Sequence, residues 1–184
     1  MEKYEIPSRE GHNHGPRQYL ATTILRKTIE LVPTDAYCML TITMQDLYPG
    51  PKWAYCFGWA MYKARTGVFS FLRFDPQYKY TDEYLLENEV KSSLLYNSCH
   101  VMVHETGHMY GMTHCTHYEC TMNGFNSAEE LEYMVKYLCP ICLRKLQSVI
   151  GFNVRERFVK LHEVCEELGF TESAQFYEKM LNLT

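Results

Sequence analysis

The sequence predicts an α/β fold, and three observations point to it. The first half holds three short runs rich in aromatic and β-branched residues, bounded by Pro and Gly. One long helical stretch in the centre runs into a histidine-rich segment, and the tail carries apolar residues at helical spacing. The 184 residues are most simply a single domain over 1–184, because domains run to roughly 100–200 residues.

Residues 1–17 are expected to be an N-terminal loop extension, since Pro7, Gly11, Gly15 and Pro16 interrupt regular structure. His12 and His14 in that loop could hold a metal, although surface histidines are the commoner case. Leu20, Ile24, Leu25, Ile29 and Leu31 follow helical spacing and predict a helix over 18–31, which Pro33 ends. Residues 37–44 form an apolar strand, and Tyr48, Pro49, Gly50 and Pro51 form a turn after it.

Residues 53–60 and 68–74 are two further strands, and the three should share one sheet. Their aromatic residues are assigned mostly to packing. After Asp75 and Pro76 comes a polar stretch, then a helix that Thr81 or Asp82 could cap, running through Val90, Leu94 and Val101 to His104. Residues 111–138 lack periodicity and need something other than a hydrophobic core to fix them. Two stripes then predict C-terminal helices: Val154, Phe158, Leu161, Cys165 and Leu168, and then Phe176, Tyr177, Met180 and Leu181.

Composition narrows the classes of function. With 46% hydrophobic and 22% charged residues, disordered, collagen-like and coiled-coil readings fall away. A net charge of −4 supplies no basic footprint for nucleic acid or an anionic membrane. No run approaches the ~20 apolar residues of a membrane span, and the first residues lack a signal-peptide core, so cytosol or nucleus is the expected location. Without an export signal, the eight cysteines point to zinc rather than disulfides.

The chemistry concentrates at residues 104–142. In a helix, His104 and His108 lie on one face a turn apart, which suits two imidazole nitrogens meeting one ion. Gly107 keeps the surface between them slim. Gly111 can take positive φ and end the helix sharply enough to bring His114 back as third ligand. Three neutral imidazoles leave the ion its full charge and one open position, where a bound water is acidified to a pKa of about 7. Glu105 is placed to take that water's proton and pass it to a leaving amine.

A second constellation follows: Cys115 and Cys120, then Cys139 and Cys142 around Pro140 and Ile141. Two cysteine pairs separated by a loop assemble a closed tetrahedral thiolate site, whose metal has no vacancy for water and is structural. Because Cys115 follows His114 directly, this second ion would anchor the loop that positions the third ligand of the first. Met122 lies close behind, and spacing alone does not separate a functional methionine turn from a gap-filling side chain. His100, His117 and His162 fall outside the ligand pattern, and Cys38, Cys56, Cys99 and Cys165 read as core packing.

These residues fit the pattern HExxHxxGxxHCxxxxCxM followed by CxxC at every fixed position, and on that motif the chain resembles the archaemetzincin family of zinc metalloproteases. The resemblance extends more loosely over roughly residues 18–168 and takes in Asp46-Leu47-Tyr48 and Phe69-Ser70-Phe71. It implies a metzincin-like mixed twisted sheet with a long active-site helix, an irregular zinc-stabilised segment and C-terminal helices. By the same likeness, catalytic zinc sits on His104, His108 and His114, Glu105 is the general base, Met122 is the Met-turn residue, and structural zinc sits on the four cysteines. It also implies an edge strand above the zinc that an extended substrate joins, for which residues 53–60 are preferred over 68–74.

The expected function is zinc-dependent peptide-bond hydrolysis with two zinc ions per chain, acting on peptide or protein substrates. The alternative is a zinc-stabilised binding module with little turnover.

Overall fold

The computed structural model describes residues 5–11, 15–75, 78 and 87–183, so His12, His14, Thr81 and Asp82 lie outside the described residues. The chain divides into two compact units, Met1–Gly111 and Met112–Thr184.

The first unit is mixed α/β. Its strands are β1 (Ser8–Arg9), β2 (Gln18–Leu20), β3 (Met39–Thr43), β4 (Asp46–Tyr48), β5 (Gly58–Met61) and β6 (Thr66–Ser70). Helix α1 (Ala21–Ile29) follows β2, and α2 (Glu87–Met109) closes the unit. The strands form two three-stranded sheets, ordered β1-β2-β4 and β3-β6-β5. In the second, β6 pairs in parallel with β3 and antiparallel with β5, so the three expected strands do share a sheet, with β5 at its edge and β6 at its centre.

Residues 8–9, expected in a loop, instead pair antiparallel with β2 as β1, a partner about ten residues away that two residues cannot advertise, and four further boundaries differ, each for a physical reason. Residues 18–20 are strand rather than helix: Gln18 is buried and donates its side-chain amide to Asp46 (2.8 Å) and to the Ala54 carbonyl (2.9 Å), so tertiary partners override helical spacing there. Residues 46–48 are a strand because they pair in parallel with β2, a non-local partner that a three-residue run cannot advertise. Only residues 58–61 of the 53–60 run fall in a strand; the carbonyls of Trp53 and Ala54 are taken instead by the Arg9 guanidinium. The 68–74 run is strand only to Ser70, whose hydroxyl accepts the Leu72 N–H at 3.3 Å and turns the chain into one 3-10 turn, Leu72–Phe74.

The buried face of α1, at Ala21, Ile24 and Leu25, packs with Leu47 and Val68, a core that draws on both sheets. A second tie is ionic. Asp46 on β4 is 1% exposed and receives both Arg73 Nε (2.8 Å) and Nη2 (2.7 Å), while the guanidinium lies 3.7 Å over the Tyr55 ring.

The second unit begins with the irregular segment, broken only by the short helix α3 (Ala128–Glu132). Ser127 caps that helix by accepting the Glu130 N–H, and the Glu130 carboxylate reaches back to the Asn126 N–H. Three helices follow: α4 (Pro140–Ile150), α5 (Val154–Glu167) and α6 (Thr171–Leu183). Of the two stripes, Phe158 and Cys165 are buried on α5 and Tyr177 on α6, where Ala174 joins it, whereas Leu168, just past the end of α5, is exposed. Phe176 stacks on Tyr137 with ring centroids 3.6 Å apart, which ties the last helix to the chain just ahead of Cys139. Among the described residues no helix is long and apolar enough to cross a membrane.

Candidate metal centres

Helix α2 sets the first centre. Spaced four apart, His104 and His108 project from one face and are buried, at 2% and 6% exposure. Their Nε2 atoms stand 3.1 Å apart with ring planes at 87°. Two nitrogens each ~2.0–2.1 Å from a tetrahedral ion would stand about 3.3 Å apart, so this pair already has the spacing of a chelate.

The helix stops where it must for a third ligand to join. The Gly111 N–H bonds to the His108 carbonyl at 2.8 Å, and Gly111 takes φ +82°, a left-handed turn that glycine enters without steric cost. Tyr110 stacks on Tyr37 at 4.4 Å, and the Arg65 guanidinium lies 4.6 Å from the centre of the Tyr37 ring, which pins the end of α2. Beyond the turn, His114 offers a ring nitrogen within 4.8 Å of those of His104 and His108.

Glu105 follows the first histidine. Burial pushes its carboxyl up from 4.5 to about 7, so the fold disfavours the carboxylate in the metal-free protein. The Cys56 thiol is also raised, to about 12, first by burial and then by the charges of Asp46 and Glu105. His100 is buried with its ring 6.4 Å from that of His104.

The second centre is built by the irregular segment and the start of α4. The sulfurs of Cys115, Cys120, Cys139 and Cys142 all lie within 4.8 Å of one another, and those of Cys115 and Cys139 are 3.9 Å apart. At ~2.3 Å from a tetrahedral ion, two sulfurs would stand about 3.8 Å apart. Backbone N–H groups point at the sulfurs as well: Met122 and Cys139 at Cys120 Sγ (3.4 and 3.3 Å), and Cys142 at Cys139 Sγ (3.4 Å). Cys139 is the N-cap of α4 and Pro140 opens it, so this pair sits where a helix favours negative charge.

The thiols are not equivalent. Burial alone would raise Cys115, but backbone hydrogen bonds at His117 and Tyr118 and the neighbouring thiols Cys139 and Cys142 bring it down to about 7. Burial and the charge of Cys120 push Cys142 up. Four thiolates at this spacing therefore need a cation, and both donor sets fit zinc.

Several contributors escaped the sequence reading. Asn123 accepts the Cys120 N–H at 2.8 Å and donates to the Cys115 (2.7 Å) and Tyr118 (2.9 Å) carbonyls, closing the cysteine loop. Gly124 lies against the His114 ring. The Asn-Gly pair is a turn signal that could have flagged both. Tyr62, just after β5, is 60% exposed with its ring 5.7 Å from that of His108, and no local pattern marks it. Met122 is fully buried among the cysteines, Met112 and Leu138, and its carbonyl accepts the Cys115 N–H at 2.8 Å. His117 is exposed and His162 half-buried, and neither joins a group of metal-binding side chains among the described residues.

Residues 18–148 match the family model described as Peptidase family M54. Archaemetzincin-2 of Mus musculus is 40% identical over 163 residues, covering 76% of this chain and 45% of that protein. Archaemetzincin-1 of Homo sapiens is 33% identical over 151 residues, covering 71% of this chain and 30% of that protein. The chain thus spans less than half the length of these curated relatives. Among solved structures, a zinc-dependent peptidase from Methanocorpusculum labreanum aligns with a TM-score of 0.60 at 25% identity, over 76% of this chain and 80% of that one. An archaemetzincin from Methanopyrus kandleri aligns at 0.58 and 27% identity, over 73% and 67%.

Proposed function

The chain belongs to peptidase family M54, the archaemetzincins, and from that premise we propose that it hydrolyses peptide bonds with two zinc ions bound, one catalytic and one structural. The observation that carries the reading is the convergence of His104, His108 and His114 beside a buried carboxyl, Glu105.

In this reading His104, His108 and His114 would hold the catalytic zinc. When bound there, zinc supplies Lewis acidity toward water and toward the scissile carbonyl. Glu105 would accept the proton of the attacking water and return it to the leaving amine; burial raises its carboxyl, and a cation held beside it would favour the ionised form that accepts a proton. Met122 serves as the Met-turn residue implied by the family pattern.

The substrate is a peptide or protein segment in extended form. Support comes from β5, an edge strand whose backbone can accept another strand, and from Tyr62, which places an exposed ring next to His108 at the end of that strand. Cys115, Cys120, Cys139 and Cys142 would hold the second zinc and, with Cys115 next to His114, would fix the loop that carries it.

Glu105→Ala tests the mechanism. The variant is expected to keep two zinc ions, measured by elemental analysis, and to lose digestion of a peptide library by at least ~100-fold. Equal turnover in variant and parent would exclude the base.

A further inference from the structure

We infer that Gly124, held in place by Asn123, is a positioning residue for His114: the closed cysteine loop lays a bare stretch of backbone against this imidazole and fixes the ring where a metal needs it. The inference rests on the reading of His114 as a ligand.

The loop closes on itself before it reaches the histidine. The Cys115 N–H bonds to the Met122 carbonyl (2.8 Å), the Asn123 N–H to the Cys120 carbonyl (2.9 Å), and the Asn123 side chain makes its three bonds inside the same nine residues. The residues flanking that closure are His114 and Gly124, which it leaves facing each other. A Cβ at position 124 would stand 3.0 Å from His114 Nδ1, 3.2 Å from Cε1 and 3.5 Å from Cγ.

Backbone conformation does not explain this glycine. Gly124 has no positive φ, unlike Gly111, Gly151 and Gly169, so alanine fits its backbone without strain. What alanine meets is the imidazole, and the ring or the loop must yield by a few tenths of an ångström. A metal site tolerates about ±0.2 Å in ligand distance, so a displacement that costs the fold little is still felt by the ion. Asn123's bonds hold the loop side of this contact in place.

The test has two arms. In the first, Gly124→Ala is made in the parent and in His114→Ala, with zinc retained at the thiolates and the histidine-site metal removed by mild chelation. The fall in Tm caused by Gly124→Ala in the parent should vanish once the ring is gone. A fall of equal size in both backgrounds would overturn the inference.

In the second arm, cobalt(II) is loaded into the histidine site of the full chain and followed by its visible absorption. Gly124→Ala should shift these bands and weaken cobalt binding ~10–100-fold while the thiolate zinc stays bound. Unchanged bands and affinity would overturn the inference. A parent that takes no cobalt at the histidines would refute the ligand reading, and the first arm, which needs no metal there, keeps that failure distinct from failure of the contact.

Discussion

At Glu105 the fold works against the ionised carboxyl that the proposed mechanism uses. In the metal-free protein the folded carboxyl titrates near 7 and the unfolded one near 4.5, so between these values the folded state binds more protons. Stability then falls as pH rises through that window, by about 3 kcal/mol at most, and is fully present below it. Glu105→Gln cannot ionise. Its stability, measured by urea denaturation after removal of the histidine-site metal, should overtake that of the parent between pH 5 and 8 and match it near pH 4. Parallel pH profiles for the two proteins would show that burial of this carboxyl carries no such cost. Filling the site with zinc should shrink the difference, because a neighbouring cation stabilises the carboxylate.

At the scale of elements, what unites the first unit is less its short strands than the ties between the two sheets. Asp46 on β4 is buried with both oxygens on Arg73, three residues past β6, and Gln18 of β2 shares one of them. Asp46→Asn leaves a partly buried guanidinium without its counter-charge and should cost ~3–5 kcal/mol, read as a drop in the denaturation midpoint with the slope unchanged. A variant within 0.5 kcal/mol of the parent would refute this role.

The same elements explain what the sequence could reveal. Residues that act through covalent spacing were legible: the i, i+4 histidines, the positive-φ glycine after them, the paired cysteines and the C-terminal stripes. The α3 helix carried a signature at Ser127 and Glu130, since a serine followed three residues later by a glutamate is a capping box, yet its five residues are too few for periodicity to announce. The β2 and β4 pairing was illegible because each strand is three residues long and its partner is 28 positions away. Tyr62 and Gly124 matter through whom they face, which local pattern does not encode.

For the whole molecule, the two metal sites should come apart in order. Three neutral imidazoles bind zinc with one position open to competing ligands, whereas four thiolates enclose it completely. Structural sites of the second kind contribute about 10–16 kcal/mol in small peptides, comparable with the total stability of a domain. Titration with a chelator should therefore remove one zinc together with hydrolysis while circular dichroism stays constant. Only stronger chelation should remove the second, with loss of ordered structure in residues 112–184. Acid acts on the thiolate site in a known direction: Cys142 and Cys120 are raised above an ordinary thiol, so zinc binding must displace their protons and its affinity falls as pH falls. Stepwise chelation at pH 8 and again at pH 6 should thus narrow the gap between the two releases. Simultaneous loss of both ions and of structure at pH 8 would mean that the histidine site, too, is part of what holds the chain folded.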